Sequence, residues 1–221
     1  AIDDGLINSE NDSISQYLPQ IVQSFGDAVT LRDLLRHTSG IKTASKDIRA
    51  TLKGHQLITP LSDISFNGDR SFHYDNINYH ILSLVLKEIY KKPLNQLIND
   101  KLWKPLKLEG ATIINTAGYC CIYATARSWL EIGTLFLNQN TQVVSVSWLK
   151  KMVDDSVITE SFFAQATGKS QGNIYGYHVY GGFPNSPDVF WIEGMGLQLI
   201  MINPRTKTVI VRLGGIPSIL N

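Results

Sequence analysis

Between Ile77 and Ile89, apolar side chains recur at the spacing of an α-helix: Ile77, Ile81, Leu84, Val85 and Ile89 share one face, which Leu82 and Leu86 widen. The pattern predicts a helix from about Ile77 to Lys91, packed on more than one side. A second helix is expected after Pro93, from Leu94 to Leu102. A third begins near Thr125, a suitable N-cap, and carries Leu130, Ile132, Leu135 and Phe136; a fourth covers about Ser147 to Val153. Earlier in the chain, Thr30-Leu31-Arg32-Asp33 has the form of a capping box opening a short helix, with Gly40 placed to end it in a left-handed conformation. Residues 43–70 are polar and irregular, punctuated by Pro60 and Gly68, and read as a loop-rich stretch.

The last third of the chain changes period. Ile174 to Tyr180, Asp188 to Glu193, Leu197 to Ile202 and Thr208 to Leu213 are short, rich in aromatic and β-branched residues, and separated by Gly, Pro and Asn. Asn203-Pro204-Arg205-Thr206 suits a hairpin turn. A helical lobe followed by an antiparallel meander defines an α+β fold.

Composition narrows the function classes. With 20 basic and 19 acidic residues, net charge +1, and no basic stripe, the chain has no electrostatic reason to bind nucleic acid. No apolar run is long enough to span a bilayer. The five histidines form no metal-ligand spacing, so neither a metal nor another cofactor is expected. Cys120 and Cys121 are adjacent, and neighbouring cysteines rarely pair because a disulfide needs a wider Cα separation.

Several fragments occur in a telling order: Leu34-Leu35-Arg36-His37-Thr38-Ser39-Gly40-Ile41; Phe72-His73-Tyr74-Asp75-Asn76-Ile77-Asn78-Tyr79; Trp103-Lys104-Pro105-Leu106; Ala124-Thr125-Ala126-Arg127; and Phe190-Trp191-Ile192-Glu193-Gly194-Met195-Gly196-Leu197-Gln198. Together they resemble the serine β-lactamase and penicillin-binding-protein superfamily, in particular the branch of class C β-lactamases, D-alanyl-D-alanine peptidases, esterases and 6-aminohexanoate-dimer hydrolases. Ala1-Ile2-Asp3-Asp4-Gly5 is similar to the segment just after that family's nucleophile helix. The resemblance extends over residues 1–221 as one β-lactamase-like domain. It implies a transpeptidase-like fold in which an antiparallel sheet is flanked by helices.

Acyl transfer through a serine needs a hydroxyl nucleophile, a base, oxyanion donors and contacts that align the scissile bond. By resemblance, Tyr74 is the base and Asn76 bonds the substrate carbonyl and the catalytic lysine. A free phenol has a pKa of about 10, so Tyr74 would act with a nearby ammonium that favours the phenolate. Gly194, Met195 and Glu193 fall on the substrate and oxyanion side, with the Met195 N–H as one donor. The Ile192-Glu193-Gly194 stretch lacks the Lys or His that heads the family's third motif, which disfavours recognition of a β-lactam carboxylate. Other readings stay open: Tyr74 as an ordinary tyrosine after a turn, Asn76 as the N-cap of the helix that follows, Gly194 as relief for a strand bend.

The family's Ser-x-x-Lys is the missing part. Ser39-Gly40-Ile41-Lys42 and Ser147-Trp148-Leu149-Lys150 spell it, but the first lies at a helix stop and the second falls after Tyr74, against the family order. Thr167-Gly168-Lys169-Ser170 ends like a phosphate-binding loop, with Phe163 where its first glycine belongs. The expectation is that the serine and lysine precede Ala1 and that the 221 residues are a fragment incomplete at both ends. The implied activity is hydrolysis of a small amide, ester or peptide substrate through an acyl-enzyme. The alternative is a catalytically inactive relative kept as a binding or scaffolding module. Relatives include exported and cytoplasmic proteins, which leaves the compartment open.

Overall fold

The seven apolar positions between Ile77 and Ile89 lie on a single helix, Ile77–Tyr90, ended by Lys91 in the left-handed region at φ 51°. A computed structural model of the chain describes residues 1–19, 25–43, 64–138, 142–159, 173–183, 185–194, 196 and 198–214. They form two units: Ala1–Lys104 with Ala111–Tyr123, and Pro105–Gly110 with Ala124 onward.

In the first unit, α1 (Leu31–Leu35) opens with the expected capping box. The Asp33 N–H donates to Thr30 Oγ1 at 3.2 Å, and the Thr30 N–H donates to the Asp33 carboxylate at 3.0 Å. Its end differs from expectation. His37, not Gly40, is the left-handed residue at the stop, with φ 56°. Histidine is among the few residues with a side chain that tolerate this region. Gly40 also has positive φ, but its role is to admit residues 67–69: a Cβ there would sit 2.7 Å from the Asp69 carbonyl oxygen. The strands β1 (Ile41–Thr43) and β2 (Ile64–Phe66) pair antiparallel, and β2 lies inside the 43–70 stretch read as loop-rich.

Helix α2 (Ile77–Tyr90) supplies Ile77, Ile81 and Val85 to a core completed by Ile7, Ile14, Leu18, Phe25, Val29, Leu31, Leu34 and Ile41. Tyr79, His80 and Ser83 are buried as well, so the helix is covered on more than one side, as its wide apolar face predicts. After Pro93, α3 (Leu94–Ile98) runs into a π turn over Asn99–Trp103. Two further strands, β3 (Thr112–Ala117) and β4 (Cys120–Tyr123), form a hairpin that the hydrophobic pattern does not announce. Gly118 at its turn lies against α2, where a Cβ would be 2.3 Å from the Tyr79 carbonyl oxygen. Cys121 is disulfide-bonded, contrary to expectation.

The second unit holds α4 (Ala126–Thr134), capped by Thr125 Oγ1 on the Ser128 N–H at 3.1 Å, and α5 (Val146–Asp154). Its sheet comprises β5 (Val157–Thr159), β6 (Asn173–Tyr175), β7 (Tyr180–Phe183), β8 (Ser186–Gly194), β9 (Gln198–Asn203) and β10 (Thr208–Arg212), each antiparallel to the next. The architecture is α+β. The strand predicted over Ile174–Tyr180 is split, because Gly176 abuts α5 and the Tyr177 N–H donates to the Met152 carbonyl at 2.8 Å. One sheet face, with Phe190, Ile200 and Ile202, packs with Trp129, Phe136, Met152 and Val153 of the helical segments.

Gly133 is where α4 meets that face: a Cβ would stand 2.7 Å from both Ile200 Cγ2 and Val209 Cγ1. In a free helix, Gly133→Ala would stabilise by about 1 kcal/mol. Overpacking against two β-branched side chains costs about 2 kcal/mol. The substitution is therefore expected to lower stability by roughly 1 kcal/mol. Urea unfolding measures it, and a more stable variant would contradict the close packing.

Candidate active site

The residues expected at the site are distributed over both units. Tyr74 and Asn76 belong to the first, Glu193 and Gly194 to the second, and Met195 lies outside the described residues.

Tyr74 stands on the segment leading into α2. Its side chain is exposed, 44% accessible, so the phenol does not belong to the packed core. Its ring stacks on the imidazole of His37, with centroids 4.3 Å apart and planes at 25°. His37 itself is buried. Its carbonyl oxygen accepts from the His73 N–H at 2.9 Å, and its Nδ1 accepts from the Asp75 N–H at 3.2 Å. Tyr79 meets the imidazole edge-on at 4.7 Å.

Asn76 is half-buried at the start of α2, with helical dihedrals and no capping bond from its side chain. Asn76 therefore holds the N-cap position without capping through its side chain. Asp75 supplies that bond, its Oδ1 accepting from the Ile77 N–H at 3.0 Å. Asx residues two positions before the bonded N–H commonly close such turns, and the sequence offers Asp75 and Asn76 side by side.

Below this surface lies a buried polar network that sequence reading missed. Asn78 Nδ2 donates to His37 Nδ1 at 3.1 Å and to the Asp75 carbonyl at 3.0 Å, while its Oδ1 accepts from Ser39 Oγ at 2.6 Å. Ser39 Oγ also accepts from the Ile41 N–H at 3.1 Å. A polar Asn inside the apolar face of α2 was the available signal, since a buried amide implies bonding partners. Arg70 ties the same loop from outside. Its guanidinium pairs with Asp33 at 3.2 Å and donates to the carbonyls of Thr38, Ser39 and Ala28.

Both described look-alikes of Ser-x-x-Lys are structural. Ser39 is buried and doubly bonded, and Lys42 lies on β1 rather than one helical turn away. Ser147 and Lys150 share the surface of α5, where Lys150 pairs with Asp154 and Ser147 Oγ bonds Ser145 Oγ at 3.3 Å. Thr167–Ser170 lies outside the described residues.

On β8, Glu193 and Gly194 pair with Leu199 and Gln198. Glu193 is half-buried, and burial raises its carboxyl pKa against the opposing effect of a hydrogen bond donated by Trp191 Nε1 at 3.1 Å. A Cβ at Gly194 would lie 3.3 Å from the Cβ of Gln198, so close strand pairing favours glycine there. Gln198 in turn accepts from the Gly214 N–H at 3.1 Å. Among the described residues, no group of three or more His, Cys, Asp or Glu is placed to hold a metal ion. No described helix is long and apolar enough to cross a membrane.

PbpX of Bacillus subtilis strain 168, described as a candidate penicillin-binding protein, is 30% identical over 113 residues, covering 48% of this chain and 27% of PbpX. A candidate 6-aminohexanoate-dimer hydrolase from Bacillus anthracis superposes over 95% of this chain and 61% of its own, with TM-score 0.73 and 18% identity. A D-stereospecific amidohydrolase from Streptomyces sp. superposes over 95% of this chain and 75% of its own, with TM-score 0.69 and 17% identity. The chain thus spans less than two thirds of the length of PbpX and of the dimer hydrolase. The likeness to the two solved structures establishes the fold. A family model described as Beta-lactamase matches residues 2–214, nearly end to end, and the chain belongs to the beta-lactamase family.

Proposed function

We propose that the protein is a serine hydrolase of amide or ester bonds that works through an acyl-enzyme, its nucleophilic serine and partner lysine being supplied by residues outside 1–221. Tyr74, as the phenolate, takes the serine Oγ proton as Oγ bonds to the substrate carbonyl carbon. The tetrahedral oxyanion collapses, the C–N or C–O bond to the leaving group breaks, and the leaving group departs with a proton. Water then cleaves the acyl ester and restores the serine. Asn76 aligns the substrate carbonyl. Gly194 admits the substrate to the strand, Glu193 flanks it, and the Met195 N–H bonds the oxyanion.

The observation that carries this reading is the exposed phenol of Tyr74, fixed at the head of α2 with Asn76 two residues on. Small esters, amides and D-amino-acid peptides are favoured over β-lactams, because Ile192-Glu193-Gly194 offers no cation for a β-lactam carboxylate. The names of the hydrolase and amidohydrolase neighbours support the same preference. The test is covalent labelling of the full-length protein with a fluorophosphonate and a labelled penicillin, followed by peptide mapping. A labelled serine one helical turn before a lysine is expected. No adduct on any serine would overturn the enzyme reading in favour of a binding or scaffolding module.

A further inference from the structure

We infer that His37 is the positioning residue of Tyr74, an inference that rests on the reading of Tyr74 as the base. One histidine holds the backbone on both sides of the tyrosine. Its carbonyl oxygen takes the N–H of His73, and its ring nitrogen takes the N–H of Asp75. Its imidazole face then lies against the phenol ring at 4.3 Å. Residues 73 to 75 are thereby pinned to the end of α1, and the ring between them rests on a buried plate.

The plate cannot turn freely. A backbone N–H can only donate, so Nδ1 of His37 carries a lone pair and the proton of the neutral ring sits on Nε2. Asn78 Nδ2 donates to the same Nδ1, and Asn78 is itself fixed by Ser39 Oγ and the Asp75 carbonyl. Tyr79 closes the edge of the imidazole at 4.7 Å. The left-handed backbone of His37, φ 56°, aims the side chain into this network. Its Nδ1 is committed to two donors and its face, rather than a nitrogen, meets Tyr74. His37 therefore orients the phenol and exchanges no proton with it.

An exposed tyrosine without such a support samples several rotamers, and misplacing a base by about 1 Å costs roughly 100-fold in rate. In the full-length protein, His37→Asn keeps a residue tolerant of positive φ but removes the stacking ring. Its fluorophosphonate labelling and ester-hydrolysis kcat are expected to fall about 10- to 100-fold with KM nearly unchanged. In a Tyr74→Phe background, the same substitution is expected to cost little more, because the group it positions is gone. Equal loss in both backgrounds would mean that His37 acts only on the fold, and would overturn the inference; so would an unchanged kcat. Should His37→Asn not fold, nitrogen-15 NMR of the wild-type protein decides. An unprotonated Nδ1 on His37 is expected, and a protonated one overturns the inference. If the wild-type protein labels on no serine, the proposed hydrolase fails and the inference falls with it. If it labels and His37→Asn labels at the wild-type rate, the inference fails alone.

Discussion

Tyr74→Phe in the full-length protein is expected to slow acylation by a fluorophosphonate or ester by about 100- to 10,000-fold, the range general-base removal commonly covers. The fold should survive. The lost hydroxyl belongs to a side chain 44% exposed, and a phenyl ring retains the stacking on His37. Labelling rate, read beside circular dichroism and thermal unfolding, separates chemistry from stability. A labelling rate equal to wild type would contradict Tyr74 as the base, whatever the identity of the serine.

The second large effect is a loss of stability in mild acid, centred on His178. Burial lowers its pKa from 6.5 to about 4, and it sits between β6 and β7 with φ 63°, its Nδ1 3.4 Å from the Tyr175 hydroxyl. A lowered pKa means that the unfolded chain binds the proton before the folded one does. Stability is therefore fully present above the unfolded value, falls as pH drops from 6.5 towards 4, and levels off below. The shift corresponds to about 3 kcal/mol, a ceiling because the residue as a whole is only half-buried. His80, whose pKa burial also lowers, adds to the loss with the same sign. Asp4, Asp69 and Asp100 are held below 3.8 and contribute in a lower window, while Glu193, raised above 4.5 by burial, acts with the opposite sign as pH falls. Urea unfolding from pH 7 to 4.5 should show the decline. His178→Asn, which tolerates the left-handed backbone, should flatten it; an undiminished slope would remove His178 as the cause.

Long periodic elements were legible in the sequence, and contextual ones were not. The seven apolar positions of α2, the Thr30–Asp33 box and the Thr125 cap carry their structure in local side-chain chemistry, so pattern alone locates them. The β1–β2 and β3–β4 pairs are short, and their strands draw their stability from what they pack on: Gly118 at the second hairpin makes sense only once α2 lies beneath it. The Ile174–Tyr180 run has unbroken strand propensity, yet α5 captures Gly176 and Tyr177 and divides it. At the candidate site, the motif pointed to Tyr74 and Asn76 but left His37 without a role, because a ring beneath another ring 37 positions along the chain has no linear signature. The neighbouring Asp75 and Asn76 were equally suited to cap α2, and only the bond to the Ile77 N–H distinguishes them.

Asn78 shares its helix with Ile77, Ile81 and Val85, so the residues that grip the first unit's core also set the depth and rotation of the amide that holds His37. One α-helical residue is a turn of about 100° and a rise of about 1.5 Å. A drift of α2 far smaller than that would break the amide's grip before it emptied the core. Repacking by conservative aliphatic exchanges, even a full turn or more along the helix, should therefore register first as a blunted reaction rate, with the melting temperature moving later.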